Sequence, residues 1–469
     1  MALLDDDPNL HGMSLGGLKV NPRDKLEELM DKTKAGMILL AIANIKPARR
    51  RIILEGMADL KVQIKTIPSM SELIAGNAGI SDLRSIQPED LLGREQVAPI
   101  TDLIRKNITE KVVMVSGAGG SIGSELCRHI LEQQPQSILL YEISEFNLYT
   151  IEAELSESAR RLNLETVVIP LLGSVNNRSR LESVIAAYGV QTIYHAAAYK
   201  HVPLVEENVV EGILNNVFGT LTLASVSQDL GVLNFILIST DKAVRPKNVM
   251  GATKRIAELI CQAYAQKSTS TIFSMVRFGN VLGSSGSVIP RFRSQIESNG
   301  PVTVTHKDIT RFFMTIPEAA QLVIQAGAMG KGGDVFVLDM GEPVKILELA
   351  QTMIRLAGRE PVIVNDLSLC TSQKHEIPIH ITGLRKGEKL YEELLIGYDP
   401  SPTKHPRIMT ASELSLPFDE LMTRMDNLLL ACRDRDLPNI FETLKDLPLD
   451  FIPAGVEIFD LTWNATKRE

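Results

Sequence analysis

Short, uninterrupted apolar runs recur through the middle of the chain, and predicted helices separate them. A strand that is covered on both faces of a parallel sheet has this continuous pattern, whereas a half-exposed strand alternates. The alternation of strands and helices predicts an α/β fold with a doubly wound parallel sheet and a ligand crevice at the strand carboxyl ends. The predicted strands are Lys111–Ser116, Ser137–Glu142, Thr166–Leu172, Gln191–His195, Asn234–Ser239 and Thr271–Val276.

Residues 1–100 form a separate block with a mixed pattern. Met37–Ile42 is apolar and predicts a strand, Pro47–Leu60 predicts a basic helix, and Val62–Ile67 alternates and predicts a second strand. This order implies a parallel sheet. Because neither a strand nor a glycine-rich turn precedes Leu4, we interpret the block as a partial α/β domain of a chain that began further upstream. A naturally short start is the alternative.

The remaining boundaries follow from weaker patterns. Residues 80–110 lack a sustained period and contain Pro88, Gly93 and Pro99, so we interpret them as a linker. We assign residues 1–100 to the partial domain and linker, and residues 101–469 to a larger domain. Within it, residues 108–280 form a nucleotide-binding core, and residues 281–469 mainly form a smaller substrate lobe. Helices are predicted at Lys345–Gly358 and across Ser412–Leu444.

A glycine-rich loop follows the first strand of the larger domain, and an amphipathic helix follows the loop. Glycines at these spacings allow a tight turn, close approach of the backbone to a pyrophosphate, and close packing of the helix on the strand. The positive end of the helix then faces the phosphates. A plain surface turn is the alternative, but the flanking elements favour a Rossmann-type dinucleotide site. Its residues are Gly117, Gly120, Ser121, Ile122 and Gly123.

An acidic residue ends the next strand, about 20 residues beyond the loop, where dinucleotide-binding folds place a ribose ligand. Glu142 there can bind both ribose hydroxyls and would repel a 2′-phosphate, which favours NAD over NADP. A solvated glutamate at a strand end is the alternative. Ser174 and Val175 follow the third strand, and we expect them to flank the adenine.

Small residues follow the fourth strand, in the sequence from His195 to His201. Ala196, Ala197 and Ala198 let the ribose and pyrophosphate of a cofactor approach the backbone. Lys200 and His201 stand at the strand carboxyl end, so we expect them to contact a phosphate or the substrate. Exposed loop residues are the alternative reading of this pair.

Composition narrows the class of protein. The chain has 469 residues, 44% of them hydrophobic and 23% charged, as in globular proteins. A net charge of −8 gives no general attraction to nucleic acid or to an anionic membrane. The four cysteines are far apart and predict neither a disulfide framework nor a metal site. Apolar runs fall short of the roughly 18 to 20 residues of a membrane span, so we expect a cytoplasmic location.

Several motifs together resemble one enzyme family over roughly residues 105–400. They are the glycine-rich loop, His195-Ala-Ala-Ala, Ser239-Thr-Asp-Lys242, Met250-Gly-Ala-Thr-Lys254, Arg277-Phe-Gly-Asn-Val-Leu-Gly283, Thr310-Arg-Phe-Phe-Met-Thr315 and Gly383-Leu-Arg-Lys-Gly-Glu-Lys389. The chain resembles the extended short-chain dehydrogenase/reductases, and within them the polysaccharide-biosynthesis UDP-N-acetylglucosamine 4,6-dehydratases.

The resemblance implies an NAD-dependent hydro-lyase that serves surface polysaccharide such as capsule or lipopolysaccharide. Its cycle is redox-neutral. Hydride leaves C4 of the sugar, the 4-keto group acidifies the C5 proton, water leaves from C6, and hydride returns there. This chemistry needs a base for C5–H, an acid for the 6-hydroxyl and a hydrogen-bonding group at O4.

The expected catalytic site contains five residues, and four of them can carry out that work. The resemblance implies that Asp241 is the acid and Lys242 the base, and a buried lysine can lose its proton near neutral pH. A solvated turn pair is the alternative. Met250 stands where the wider family has tyrosine, and methionine cannot transfer a proton. We therefore expect Lys254, directly or through water beside Thr240, to deprotonate the 4-hydroxyl. The resemblance also implies that Lys254 holds the nicotinamide ribose.

The expected UDP-sugar site lies further along the chain. Arginines can bind a pyrophosphate through forked hydrogen bonds, and a glutamate can accept from ribose hydroxyls. Each residue alone is more often a surface charge. The candidates are Asn280, Arg291, Thr303, Thr305, Arg311, Arg385 and Glu388.

The first block resembles the cytoplasmic, CoA-binding-like N-terminal domain of the large, membrane-anchored branch of these dehydratases. Transmembrane helices come first in that branch, which fits an upstream truncation and a place at the inner face of the membrane. We expect a homo-oligomer. Two other functions remain open: a UDP-sugar 4-epimerase, which has no need of the acid–base pair, and a catalytically silent nucleotide-sugar sensor, which Met250 suggests.

Overall fold

The computed structural model describes residues 1–42, 45–57, 60, 62–67, 84–86, 90, 93–94, 97–365, 375–394, 400–453 and 459–466. Pro88, Cys370 and parts of the predicted linker lie outside the described residues. The chain divides into two compact units. The first comprises residues 1–95, 288–307 and 345–382, and the second comprises residues 96–287, 308–344 and 383–469. Residues 288–307 and 345–382, which the sequence assigns to the substrate lobe, thus belong to the first unit.

In the described part of the first unit, the strands form three small sheets. One contains Leu3–Asp5, Ser14–Leu15 and Leu18–Pro22; the second contains Met37–Leu40, Gln63–Thr66 and Arg84–Ser85; the third contains Val302–Val304, Glu360–Val364 and Glu376–Ile381. The α-helices are Leu26–Thr33, Pro47–Glu55, Val288–Glu297 and Ile346–Leu356, and short 3-10 helices span Pro8–Leu10 and Arg23–Lys25.

The predicted strand–helix–strand order of the first block is confirmed, with shorter elements. Met37–Leu40 and Gln63–Thr66 pair in parallel. The helix between them begins at Pro47, whose fixed φ suits a first turn, but it ends at Glu55 rather than Leu60. Three strands, Leu3–Asp5, Ser14–Leu15 and Leu18–Pro22, were not predicted, because each is only two to five residues long.

Nine strands form the main sheet of the second unit. They are β1 (Val112–Ser116), β2 (Ser137–Glu142), β3 (Val167–Leu172), β4 (Thr192–His195), β5 (Asn234–Ile238), β6 (Ile272–Arg277), β7 (Asp334–Leu338), β8 (Ser401–Pro402) and β9 (Ile408–Ala411). Their spatial order is β8-β9-β7-β6-β5-β4-β1-β2-β3; β1 to β7 are parallel, and β9 pairs antiparallel with both β7 and β8. The order reverses between β1 and β4, where doubly wound sheets open a crevice.

All six predicted strands are present, and each end differs from its prediction by at most one residue. The β1 side chains explain why. Val112 and Met114 enter the core on one face of the sheet, and Val113 and Val115 enter the core on the other. Because both faces are covered, the four positions from Val112 to Val115 are all apolar, and the run is continuous.

Helices cover the sheet. The α-helices of the second unit are Thr101–Arg105, Ser121–Glu132, Glu145–Arg161, Arg178–Tyr188, Val202–Glu207, Val209–Ile213, Gly219–Asp229, Val249–Lys267, Ile316–Met329, Phe418–Arg433, Leu437–Asp446 and Leu461–Thr466. A π-helical segment spans Leu214–Phe218, a 3-10 helix spans Asp241–Ala243, and short strands span Asn280–Val281, Thr310–Arg311, Phe313–Met314 and Val344–Lys345. Pro417 and Pro438 mark the starts of two C-terminal helices, as their fixed φ favours.

Within the described residues, one helical stretch is long and apolar enough to cross a membrane. It spans Val209–Asp229, and 67% of its most apolar window is buried in the protein. The stretch was not predicted, because polar residues interrupt its apolar runs. A core helix has these same properties, so the finding is weak evidence for a span.

Candidate active site

The glycine-rich loop, residues 117–123, bends sharply where β1 ends. Gly117 has a φ of +68°, a left-handed conformation that favours glycine. A Cβ on Gly117 would lie 2.7 Å from the Cα of Ala197, and one on Gly123 would collide with the Gly117 carbonyl. Side chains are therefore excluded at both positions, and the backbone of the loop stays accessible to a ligand.

The helix Ser121–Glu132 starts from this loop. Gly120 is its N-cap and supplies no side-chain acceptor, so the first-turn N–H groups, including that of Ile122, lack an intrahelical partner. Together with the helix dipole they form a site suited to a pyrophosphate. The backbone N–H of Ser285 donates to the Ser121 hydroxyl at 3.3 Å, which brings a second loop beside this helix end.

Glu142 ends β2 and is buried beside the glycine-rich loop. Its Oε2 accepts from the Gly119 N–H at 2.9 Å, and its Oε1 accepts from the N–H groups of Ile143 and Ser144 at 3.0 Å each. These three bonds fix the carboxylate and leave acceptor capacity on its oxygens. The arrangement fits a ribose ligand, and the predicted NAD contact remains a prediction.

Ser174 and Val175, the two residues expected at the adenine, have different surroundings. The Ser174 carbonyl accepts from the Tyr141 hydroxyl at 2.9 Å, which fixes the backbone after β3. Val175 is buried and packs on Gly219, where a Cβ would lie 2.7 Å from Val175 Cγ2. The Val175 side chain is thus part of the core of the second unit, and not of an exposed wall.

His195, at the end of β4, is a buried structural residue. Burial, with the nearby charge of Lys254, lowers its pKa to about 3, so the ring is neutral. Its Nδ1 lies 2.7 Å from the Ser116 hydroxyl and its Nε2 lies 2.9 Å from the Thr220 hydroxyl. The ring therefore ties β1 to β4. Ala196 and Ala197, which follow it, lie against Gly117 of the glycine-rich loop, and the predicted cofactor contact of Ala198 remains a prediction.

Asp241 and Lys242 lie in a 3-10 turn at the carboxyl end of β5, with Thr240 as the N-cap. The Lys242 ammonium donates to Asp241 Oδ1 at 2.9 Å and to Asn280 Oδ1 at 3.0 Å, and the Thr240 hydroxyl donates to Asp241 Oδ1 at 2.9 Å. Asp241 is 0% exposed, and its Oδ2 has no hydrogen-bond partner within the described residues. One carboxylate oxygen therefore remains available at the strand mouth.

The pKa of Lys242 departs from the expectation for a simple buried base. Burial lowers its pKa, but the carboxylates of Asp241 and Glu392 outweigh burial, and the net direction is upward. In this arrangement Lys242 is an ammonium ion. Two acidic neighbours therefore outweigh burial at this amine, and the role of Lys242 as the base stays a prediction.

The helix Val249–Lys267, which we call the active-site helix, carries the second lysine. Lys254 is buried, and burial lowers its pKa to about 8 even though Glu258 opposes the shift. Met250, one turn earlier, is buried in the core of the second unit. Among these residues, Lys254 is thus the amine that gives up its proton near physiological pH.

A buried ionic network beneath the site was not predicted. The Glu258 carboxylate accepts from the Ser239 hydroxyl at 2.6 Å, from Arg277 Nε at 2.7 Å and Nη2 at 2.6 Å, and from Arg255 Nη1 at 3.2 Å. Ser239 precedes the Thr240 turn and Arg277 precedes the loop of Asn280. Glu258 therefore links the two loops that meet at Lys242. Its spacing from Lys254 on one helix face was the available signal.

The Arg311 guanidinium is hydrogen-bonded to neighbouring groups of the protein. Its Nη1 donates to the carbonyls of Thr310 at 2.7 Å and Leu390 at 3.2 Å. Its Nη2 donates to the Lys389 carbonyl at 2.8 Å and to Glu388 Oε1 at 3.2 Å. These bonds occupy the four Nη hydrogens, so the predicted grip on a pyrophosphate would require breaking them.

The other predicted substrate residues fall into two groups. In the second unit, Arg385 is exposed and its N–H donates to Glu388 Oε2 at 3.1 Å. Burial, with Lys242 nearby, lowers the pKa of Lys200, which places Lys200 within electrostatic reach of the acid–base pair. His201 packs against Gly286, where a Cβ would collide with the ring.

Three predicted residues belong to the first unit and are described with it. Arg291 is exposed on its helix, and Thr303 exchanges hydrogen bonds with Gln295 at 2.9 and 3.1 Å. Thr305 lies just beyond the strand Val302–Val304. Their roles in substrate binding remain predictions.

Glu392 is a residue that the sequence did not single out. Its side chain is 4% exposed, its Oε1 lies 4.0 Å from Arg311 Nε, and its Oε2 is buried without a hydrogen-bond partner among the described residues. Burial raises its pKa, and Lys242 and Asp241 act on it electrostatically. A third buried ionisable group therefore belongs to the acid–base cluster.

Known proteins with similar sequences act in polysaccharide biosynthesis. The profile of the family described as "Polysaccharide biosynthesis protein" matches residues 113–413. The chain is 44% identical over 395 residues to "Capsular polysaccharide biosynthesis protein CapD" of Staphylococcus aureus, a match that covers 84% of this chain. It is 43% identical over 396 residues to "Probable polysaccharide biosynthesis protein EpsC" of Bacillus subtilis. The matched region spans 63% of the length of each of these two relatives.

The fold has a solved counterpart. Pen from Bacillus thuringiensis superposes with a TM-score of 0.55 at 30% sequence identity, over 68% of this chain and 98% of Pen. The chain therefore belongs to the polysaccharide biosynthesis protein family, among the extended short-chain dehydrogenase/reductase enzymes.

Proposed function

We propose that this chain is a nucleotide-sugar 4,6-dehydratase that converts UDP-N-acetylglucosamine into a UDP-4-keto-6-deoxy-N-acetylhexosamine. The observation that carries the proposal is the buried Asp241 carboxylate, whose Oδ1 lies 2.9 Å from the Lys242 ammonium and whose Oδ2 has no hydrogen-bond partner in the part of the chain that the structure describes. This pair stands at the end of β5, two strands from the glycine-rich loop at the end of β1. Two strand spacings amount to about 10 Å, which suits a substrate held between cofactor and acid–base pair.

The cofactor of this proposal is NAD. The glycine-rich loop excludes side chains at Gly117 and Gly123, the helix Ser121–Glu132 offers its free N–H groups, and the fixed Glu142 carboxylate suits two ribose hydroxyls. These features fit a dinucleotide without a 2′-phosphate. When bound, NAD supplies hydride chemistry, taking hydride from sugar C4 and returning it at C6.

Three residues carry out the proton transfers of the proposed reaction: Lys254, Lys242 and Asp241. Lys254, with a pKa of about 8, accepts the proton of the 4-hydroxyl, directly or through water beside Thr240. Transfer of one proton from Lys242 Nζ to Asp241 Oδ1 breaks an N–H bond and forms an O–H bond. That single step makes a neutral amine, which takes the C5 proton, and a protonated carboxyl, which gives its proton to the departing 6-hydroxyl.

The substrate side is built from residues around Lys242. Asn280 already accepts from this lysine and can exchange that bond for a sugar hydroxyl. Lys200 and Arg385 are the cations we assign to the UDP phosphates, and Glu388 is the acceptor for the uridine ribose. We assign Arg311 to holding the segment that carries Glu388, because its donors are already engaged there.

A second candidate is a UDP-sugar 4-epimerase. The chain is 32% identical over 288 residues to a "UDP-glucose 4-epimerase" of Rickettsia rickettsii, a match that covers 78% of that protein. An epimerase returns hydride to C4 and leaves C5 and C6 untouched. The buried carboxyl–amine pair would then have no proton to move, so the pair favours the dehydratase.

The test is incubation of the NAD-loaded protein with UDP-N-acetylglucosamine in D₂O, followed by NMR of the product. A dehydratase yields a 4-keto-6-deoxy sugar with deuterium at C5. An epimerase yields the C4 epimer with its original hydrogen at C5, and a silent sensor leaves the substrate unchanged. Either of the last two results would reject the proposed function.

A further inference from the structure

The segment that follows the Gly383–Lys389 motif is held against the acid–base turn from two sides. The Lys389 ammonium donates to the Val244 carbonyl at 2.7 Å, two residues beyond Lys242. Asn248 Nδ2 donates to the Gly387 carbonyl at 2.9 Å. On its other side, Arg311 donates to the Lys389 and Leu390 carbonyls. These anchors fix the backbone that carries Glu392.

Glu392 faces several charges. It interacts electrostatically with Lys242, Asp241, Arg311 and Lys389, and its Oε1 lies 4.0 Å from Arg311 Nε. Lys242 in turn is affected by Asp241, Glu392 and Arg311, and it acts on Lys200. Glu392 raises the pKa of Lys242, so an ionised Glu392 favours the ammonium form of this amine.

Two carboxylate oxygens in this cluster, Asp241 Oδ2 and Glu392 Oε2, are buried and have no hydrogen-bond partner within the described residues. A buried charged oxygen without a donor is unfavourable, and two acids near each other resist ionising together. Burial first, and then Asp241, raise the pKa of Glu392, while Lys242, Arg311 and Lys389 oppose that shift. Protonation of Glu392 is the change that relieves this repulsion.

We propose that Glu392 is the third ionisable residue of the acid–base site, and that its charge controls when Lys242 gives its proton to Asp241. This inference rests on the proposed function and adds a residue to it. An ionised Glu392 stabilises the Lys242 ammonium, whereas a protonated Glu392 does not. Since the effect passes through Lys242, Glu392 is a positioning residue.

The proton balance is simple. When Glu392 takes up one proton from solvent, its carboxylate becomes a neutral carboxyl and the support for the Lys242 ammonium weakens. The Lys242 Nζ–H bond is then easier to break, and the proton passes to the Asp241 Oδ1 that already accepts from it at 2.9 Å, which converts an ion pair into a neutral pair. Both groups required for dehydration, a neutral amine and a protonated carboxyl, are produced without an external oxidant or reductant.

The test compares Glu392→Gln with Glu393→Gln. Glu393 is the adjacent residue, its side chain is 45% exposed, and its Oε1 lies 3.6 Å from Arg245 Nη1, so it undergoes the same chemical change at a half-exposed position. The full chain is labelled with ¹³C-lysine, Lys242 is assigned with Lys242→Met, and its Cε signal is titrated with NAD bound. We expect the Lys242 signal of Glu392→Gln to begin moving at a lower pH than that of the wild type. Glu393→Gln should match the wild type, and Glu392→Asp should restore the wild-type titration.

An unchanged Lys242 titration in a folded Glu392→Gln variant would overturn the inference, and so would an equal shift in Glu393→Gln. If Glu392→Gln does not fold, Glu392→Asp and Glu392→Ala are titrated instead. The Lys242 signal of Glu392→Ala should then begin moving at a lower pH than that of the wild type, and the signal of Glu392→Asp should not. The titration needs no turnover. Failure of the wild type to place deuterium at C5 would therefore reject the proposed function, and not the coupling of Glu392 to Lys242.

Discussion

Two lysines in the second unit are buried and yet have opposite acid–base character. At the Asp241 turn, burial and two carboxylates compete, and the carboxylates win, so the pKa of Lys242 lies above its usual value. In the active-site helix, burial outweighs Glu258, and the pKa of Lys254 falls to about 8. Burial alone therefore does not make a lysine a base. The number and distance of its acidic partners decide the direction.

The difference suggests a division of labour. Lys254 loses its proton to solvent near physiological pH and is suited to the 4-hydroxyl at the start of the cycle. In the proposed cycle, Lys242 keeps its proton until it passes it to Asp241, which suits it to a later step that needs acid and base together. Each lysine is then matched to one half of the reaction, and substitutions should separate the halves.

The largest expected effect comes from Asp241→Asn. The amide cannot receive the Lys242 proton or supply one to the 6-hydroxyl, so we expect dehydration to slow by about 10³-fold. Oxidation at C4, measured as absorbance of reduced nicotinamide in a single turnover, should continue, and NAD affinity should stay unchanged. Lys242→Met should give the same pattern. Dehydration at the wild-type rate by either variant would reject the role of that residue.

The next largest effect is expected in the buried ionic network around Glu258, which links the loops that meet at Lys242 and lies on the same helix as Lys254. Glu258→Gln removes the charge that two buried arginines face, Arg255 and Arg277, and we expect the free energy of unfolding to fall by about 3–5 kcal/mol. Urea denaturation measures this loss. Loss of the charge also removes the one carboxylate that supports the Lys254 ammonium, so the Lys254 pKa should fall further.

Glu413→Gln is the matched control, since Glu413 also binds Arg277. It should lower stability while leaving the titration of Lys254 in place. If Glu258→Gln and Glu413→Gln shifted the Lys254 titration equally, Glu258 would not be the carboxylate that supports the Lys254 ammonium.

A smaller effect is the pH dependence of the first half-reaction. Because the Lys254 pKa lies below its ordinary value, the amine is charged and inactive below about pH 8 and neutral above it. The rate of C4 oxidation should therefore rise with pH, by about tenfold per unit below the midpoint, and level off above it. Stopped-flow measurement of reduced nicotinamide gives the profile. Lys254→Arg, which stays charged, should lack the rising limb; a flat wild-type profile would contradict this assignment.

Some features of the fold and of this site could be predicted from the sequence, and others could not. The strands of the main sheet were predicted because continuous apolar runs such as Val112–Ser116 record burial on both faces. The pairing of Lys242 with Asp241 was predicted from adjacency at a strand end. Glu392 and the Glu258 network were missed, because their function depends on burial by segments distant in the chain. Arg311 was expected at a phosphate, but backbone carbonyls of residues 389 and 390 occupy its donors.

Substitutions of Met250 have the smallest expected effect, and they distinguish a packing role of this residue from a chemical one. Met250 is buried in the core one turn before Lys254 and has no proton to transfer. Met250→Leu conserves volume, so we expect less than about 1.5 kcal/mol of lost stability and turnover within severalfold of the wild type. Met250→Ala opens a cavity and should cost about 2–5 kcal/mol, yet it should retain measurable turnover.

Turnover and urea denaturation of both Met250 variants, measured in parallel, distinguish the two roles. If Met250→Leu folded normally and made no product, the thioether itself would take part in the reaction, and Lys254 would no longer suffice to explain how the 4-hydroxyl loses its proton. Loss of activity that follows loss of stability in both variants would instead mean that Met250 acts only by packing the helix that presents Lys254.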